Sequence, residues 1–268
     1  MTKVFISYML SALLLLISPI CAEDNQTEYL ALDDLTIKVD SGSPYHHYDH
    51  QTEYRHLDDL AMKAGTDKGS FYHNYTDIYA RYFADLREKP IKFLEIGIDK
   101  GASVKLWEEY FKNADLHFMD ITFQNIKYHS NRSHYHLCNQ EDPQALQKFI
   151  QATGGDFDVI IDDGGHTMKQ QITSFAVLFP HLKSGGLYII EDLYTSYWNW
   201  WPESNSSNSL NTISFLKSLI DEVNFVGAKS GRASHLAIDP TVAKDLNLYR
   251  EKILSMHFYD SLVIIMKR

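Results

Sequence analysis

Two acidic pairs carry the residue types and spacing that could do chemistry: Asp162-Asp163 in the run Val159-Ile-Ile-Asp-Asp-Gly-Gly-His166, and Glu191-Asp192 in Leu187-Tyr-Ile-Ile-Glu-Asp192. Each pair follows a short apolar run that reads as a buried strand, so the carboxylates stand at strand carboxyl ends, where open α/β sheets bind ligands. The hard oxygen donors of Asp163, Glu191 and Asp192 suit Mg²⁺ or Mn²⁺. No Cys or His cluster in the sequence offers a softer, zinc-type site, and no set of two histidines and one carboxylate marks a non-haem iron oxygenase. His166 comes three residues after Asp163, close enough to take a proton from an alcohol held beside the metal. Strand-end carboxylates also cap helices, and loop histidines also serve as plain hydrogen-bonding groups. Both pairs together with His166 favour a site.

The surrounding pattern supplies elements to position these groups. Ile91-Lys-Phe-Leu-Glu-Ile-Gly97 reads as a buried strand entering a glycine turn and a helix from Val104 to about Phe111. Strands follow at Asp115 to Asp120, Ser133 to Leu137, Asp158 to Ile161 and Leu187 to Ile190. Helices are expected over Pro143 to Ala152, Met168 to Phe179 and Leu210 to Glu222. Gly185-Gly186 is expected to turn the chain into the Leu187 strand. This alternation predicts an α/β fold with a doubly wound, mostly parallel Rossmann-like sheet. Two β runs, Leu254 to Phe258 and Ser261 to Met266, predict a C-terminal antiparallel hairpin at its edge.

A chain of 268 residues with 44% hydrophobic content can bury one large core. The formal charge of -10, without a long Lys/Arg run, argues against a nucleic-acid backbone as partner and for a neutral or cationic small substrate. Residues 1–22 read as a signal peptide with one cation, an apolar stretch and Ala22 before Glu23. The alternative is an uncleaved anchor, which Pro19 and the modest length disfavour. Cleavage would leave no stable membrane span and only Cys138 as a thiol. The expected location is secreted or periplasmic, or cytoplasmic if the leader does not function. Residues 23–56 read as a polar N-terminal arm whose His46, His47 and His50 receive no role, and residues 57–268 as the catalytic domain.

Glycines at Gly97 and Gly101 permit close backbone approach to a ligand, although the full dinucleotide fingerprint is missing. Asp120 ends the next strand about 23 residues beyond Gly97, where an acid can accept hydrogen bonds from ribose hydroxyls. Together they favour an adenosine-containing cofactor.

The segments Gly65-Thr-Asp-Lys-Gly69, Phe93-Leu-Glu-Ile-Gly97, Met119-Asp-Ile121, Gln140-Glu-Asp142, Ile161-Asp-Asp-Gly-Gly-His166 and Gly185-Gly-Leu-Tyr-Ile-Ile-Glu-Asp192 resemble the class I S-adenosylmethionine-dependent methyltransferases. Among these, the chain is similar to the metal-dependent macrolide-sugar O-methyltransferases of the mycinamicin and tylosin type. The resemblance covers roughly residues 60 to 265. It implies Asp163, Glu191 and Asp192 as Mg²⁺ ligands and His166 as general base. It also implies that Thr66, Glu95, Gly97, Ser103, Asp120, Gln140, Asp142 and Asp162 surround S-adenosylmethionine. Cys138-Asn139-Gln140 stands where the family has Gly-Asp-Gln. The expected activity is methyl transfer to a hydroxyl of a sugar-like or other small acceptor. A secreted, non-catalytic binding module retaining the fold is the alternative, since an exported enzyme would need imported cofactor.

Overall fold

The computed structural model describes residues 49–202, 211–231 and 235–268; the leader and most of the polar arm lie outside the described residues. Helix α1, His50–Ala64, starts within the segment read as polar arm, because Asp49 caps it and Glu53, Leu57 and Ala61 recur on one buried face. Gly65, at φ 77°, ends it. After α2, Tyr75–Phe83, come β1, Lys92–Ile96; α3, Ala102–Tyr110; β2, Asp115–Asp120; and β3, His134–Leu137. Next are α4, Pro143–Thr153; β4, Phe157–Asp162; α5, Met168–Leu178; and β5, Leu182–Ile190. The chain closes with α6, Thr212–Ser230; the short α7, Pro240–Ala243, and α8, Leu248–Lys252; then β6, Ile253–Tyr259, and β7, Leu262–Lys267.

The seven strands lie in the order β3-β2-β1-β4-β5-β7-β6. β1 to β5 are parallel and β7 runs antiparallel between β5 and β6, so the C-terminal hairpin is present as expected. Both faces are covered, as a parallel sheet requires. Phe93, Val159, Ile161, Ile189 and Ile264 pack on one face against Leu57, Tyr79, Phe83 and Trp107 from α1 to α3. Leu94, Ile160, Tyr188, Ile190 and Ile265 pack on the other against Leu146, Phe175, Leu216 and Leu219 from α4 to α6. Each fully buried side chain of this size contributes about 1.5–3 kcal/mol relative to exposure. Gly185-Gly186 does not precede β5 but lies within it, at an irregularity in its pairing with β4. There a Cβ on Gly186 would meet the Lys183 carbonyl at 2.9 Å, so only glycine lets the strand pass.

The parallel register of β2 and β3 sets His117 opposite His134 and brings His136 Nε2 to 2.9 Å from His117 Nδ1. A histidine cluster therefore exists where the linear sequence shows none, because its members come from two strands. Burial against Phe149 and Phe157 holds the His117 and His136 imidazoles below the ordinary histidine value, with His136 brought down to about 4. The folded state thus keeps these groups neutral while the unfolded chain binds protons below about pH 6.5. Their contribution to stability is complete above that pH and is lost as pH falls toward 4. Denaturation midpoints should fall with acid more steeply for the wild type than for His136→Gln; superimposable pH profiles would contradict this.

Candidate active site

The parallel register decides which residues meet. Ile96 pairs with Asp162, and Asp162 with Ile190, so Gly97, Asp163 and Glu191 leave three neighbouring strands side by side. Backbone bonds from Asp163 N to the Ile96 carbonyl (2.9 Å) and from Glu191 N to the Asp162 carbonyl (3.0 Å) carry that register past the strand ends. A cavity of about 590 Å³ opens here, lined among others by Thr66, Gly97, Ser103, Asp120, Gln140 and Asp163. At Gly97, φ is 98° and a Cβ would stand 2.0 Å from the Asp163 carbonyl oxygen. No other residue lets the two strand ends come so close.

Asp163, His166 and Asp192 bring one ligand atom each within 4.8 Å of one another. His166 Nε2 lies 3.4 Å from Asp192 Oδ2 and 3.9 Å from Asp163 Oδ1. His166 and Asp192 hold φ values of 56° and 57°, a left-handed conformation that costs a side-chain-bearing residue energy and recurs at functional sites. The loop is held from outside: the His166 carbonyl accepts from Trp201 Nε1 at 2.9 Å and from Thr195 Oγ1 at 3.2 Å. His166 Nδ1 is buried without a hydrogen-bond partner among the described residues. Tyr75 donates its hydroxyl to Asp192 Oδ1 at 2.9 Å, which leaves Oδ2 on the His166 side.

Glu191, expected as a metal ligand, forms with Glu95 and Asp163 a second group whose ligand atoms lie within 4.8 Å of one another. Its carboxylate lies behind the cavity wall, with both oxygens 2.8 Å from Lys68 Nζ and Oε1 also taking the Tyr79 hydroxyl. Lys68 Nζ further donates to Asp163 Oδ2 at 2.5 Å and stands 3.4 Å from Glu95 Oε1. Burial alone would favour loss of the Lys68 proton. Asp163, Glu191 and Glu95 more than reverse this and hold its ammonium well above the ordinary lysine value. Burial pushes Glu191 upward, reinforced by Asp163. It pushes Glu95 up to about 7, against the pull of Lys68. One ammonium thus faces Glu95, Asp163 and Glu191, with Asp192 beside them. The excess of negative charge is what a divalent cation would offset, and the oxygen-rich donor set suits a hard ion.

The residues expected around a nucleoside cofactor divide in two. Thr66, Gly97, Ser103, Asp120 and Gln140 line the cavity. Asp120 accepts from the amides of Ile98 (2.9 Å) and Thr122 (3.0 Å), shaping the glycine turn. Glu95 and Asp162 are fully buried behind the wall. Glu95 takes Ser103 Oγ at 2.7 Å and Trp107 Nε1 at 3.1 Å. Asp162 takes Gln140 Nε2 at 2.9 Å and the Ser174 hydroxyl. Gln140 Oε1 in turn accepts from Gly165 N at 2.9 Å, fixing the loop before His166. Asp142 lies apart: it caps α4 through Gln144 N at 2.9 Å. Lys68, Tyr75 and Tyr79 were not singled out from sequence. The available signal was a lysine inside the resembling segment Gly65-Thr-Asp-Lys-Gly69, next to an aromatic-rich helix.

Residues 94–193 match a family described as a methyltransferase domain. The chain is 32% identical over 213 residues to the 8-demethyl-8-alpha-L-rhamnosyl tetracenomycin-C 2'-O-methyltransferase of Streptomyces olivaceus, covering 76% of this chain and 52% of that protein. It is also 32% identical to the mycinamicin VI 2''-O-methyltransferase of Micromonospora griseorubida, covering 75% and 50%. A solved structure of the MycE methyltransferase in complex with Mg, SAH and mycinamycin VI superposes with a TM-score of 0.65 at 29% identity, covering 79% of this chain and 54% of that one. The chain spans about half the length of these relatives.

Proposed function

Because residues 94–193 belong to the methyltransferase-domain family, we propose that the chain is an S-adenosylmethionine-dependent, Mg²⁺-assisted O-methyltransferase acting on a hydroxyl of a sugar-bearing small molecule. The observation that carries the reading is the convergence of Asp163, His166 and Asp192 on one cavity wall, beside the glycine turn at Gly97. The sugar-hydroxyl acceptor is inferred from relatives named as O-methyltransferases of a rhamnosyl tetracenomycin and of mycinamicin VI.

Asp163, Asp192 and Glu191 would hold the cation, with Lys68 bound to Asp163 and Glu191 behind it; Thr66, Gly97, Ser103, Asp120 and Gln140 would hold the cofactor. When bound, the ion would supply a Lewis acid beside the acceptor oxygen and the cofactor a methyl group on a sulfonium leaving group. His166 Nε2 would take the acceptor's hydroxyl proton as the oxygen attacks, with Asp192 Oδ2 at 3.4 Å steadying the resulting imidazolium. Tyr75 and His73, whose rings stack at 4.8 Å, flank Asp192 and fix its carboxylate. Exposed Trp200, stacked on Trp198 at 4.8 Å, offers an aromatic face to a sugar ring.

The test incubates the full-length protein with S-adenosylmethionine, MgCl₂ and a panel of deoxysugar glycosides, followed by mass spectrometry. The expected result is a gain of one methylene on the acceptor, abolished by EDTA. If titration calorimetry of well-folded protein showed no S-adenosylmethionine binding, the reading would give way to a non-catalytic binding module. Export through residues 1–22 belongs to the proposal and is tested by fusing that segment to a reporter active only outside the cytoplasm. Among the described residues, no helix is long and apolar enough to cross a membrane.

A further inference from the structure

At the start of β2 and β3, at the other end of β2 from the strand-end acids, the sheet assembles the two-histidine, one-carboxylate set that the linear sequence does not display. Asp115 and His117 alternate on one face of β2, while His134 and His136 alternate on the matching face of β3. Asp115 Oδ2 lies 3.1 Å from His117 Nε2, and Asp115 Oδ1 lies 3.2 Å from His134 Nε2. One ligand atom from each of Asp115, His117 and His134 falls within 4.8 Å of the other two. Tetrahedral ligands about 2.0–2.2 Å from a zinc ion stand about 3.3–3.6 Å apart, close to the two Asp115–His separations, one to each carboxylate oxygen; the set as a whole has to contract from within 4.8 Å.

We propose that Asp115, His117 and His134 form a binding site for a divalent transition ion of the Zn²⁺ class, with His136 as the residue that orients His117. The 2.9 Å contact between His117 Nδ1 and His136 Nε2 can hold a proton on Nδ1. With an ion in place, His117 Nε2 would present its lone pair to that ion rather than a proton to Asp115, the arrangement that the outer hydrogen bond of a ligating histidine secures in metal sites. Phe157 stands edge-on against the His117 ring and Phe149 against His136, so both imidazoles are set by packing. The nearby Lys92 is engaged elsewhere: its Nζ donates to the Thr153 and Gly155 carbonyls. His134 and Asp115 side chains are 60% and 50% exposed, which gives an ion a route in and leaves a coordination position for water. An ion there would clip β3, a four-residue strand at the sheet edge among the described residues, to its neighbour β2.

The test uses the full chain and two ions, Co²⁺ for its visible ligand-field bands and Zn²⁺ for competition and thermal melting. A His46→Ala/His47→Ala background removes ligands from the N-terminal histidine patch. An Asp163→Asn/Asp192→Asn variant of that background removes the candidate active-site ligands. In the protein lacking the candidate active-site ligands Zn²⁺ should raise the melting temperature and displace Co²⁺ with one equivalent bound. Adding His134→Ala, an exposed change that spares the core, should weaken binding at least tenfold and abolish the melting shift. His136→Gln should weaken binding by a smaller factor. Equal Zn²⁺ affinity with and without His134 would overturn the site, as would loss of binding in the Asp163→Asn/Asp192→Asn protein.

Discussion

Replacing Lys68 with methionine should cost the fold about 3–5 kcal/mol at pH 8, the usual penalty for removing one partner of a buried ionic group. Methionine keeps the reach of the side chain but leaves Glu95, Glu191 and Asp163 facing one another without their shared ammonium. Glu95 and Glu191 lie at 0% and 2% exposure, so water cannot take over its part. The loss should depend on pH in a defined sense. Glu95 is pushed up to about 7 in the native protein, and removing the cation pushes the carboxylates further. A carboxyl whose folded value is raised binds more protons folded than unfolded. Its favourable contribution is present below the unfolded value near 4.5 and is lost as pH rises through 7. The variant should therefore come nearer to wild type at pH 5 than at pH 8 in urea titrations. A methionine variant as stable as wild type at pH 8 would show that the lysine does not hold these charges together.

His166→Ala should lower turnover by about 10²–10⁴, the range that general acid–base catalysis supplies. Affinity for S-adenosylmethionine, measured by calorimetry, should change less than threefold, because the cofactor-side wall is built from Thr66, Gly97, Ser103, Asp120 and Gln140. His166 holds φ 56°, so alanine inherits a left-handed backbone; glycine, which adopts that conformation freely, separates loss of the base from loss of loop geometry. Both variants should be equally slow. Turnover within fivefold of wild type in either would remove His166 from the proton transfer.

The strand-end acids were legible because buried parallel strands are near-continuous apolar runs, and their carboxyl ends are where such sheets place ligands. The reading ranked Asp163, Glu191 and Asp192 together; just past the end of β5 consecutive side chains diverge, Glu191 turning to Lys68 and Asp192 toward His166. Asp142 was read only as a cofactor acid; it caps α4, and Pro143 immediately after it was the available sign of that cap. Lys68 was not legible: its partners lie 95 and 123 residues away in sequence, and within its own turn it looks like a solvated charge. The histidine cluster escaped for a related reason. Asp115-Leu-His117 and His134-Tyr-His136 are each unremarkable, and only the pairing of β2 with β3 makes them one group.

The bonds from Trp201 and Thr195 to the His166 carbonyl tie the proposed base to the segment that follows the second acidic pair. That same segment presents the aromatic face to which an acceptor ring would dock. Substrate preference and rate therefore share one stretch of chain. If the proposed activity holds, redesigning residues 193–201 should alter kcat along with selectivity, so a library built there is best screened for speed on the new acceptor rather than for binding to it.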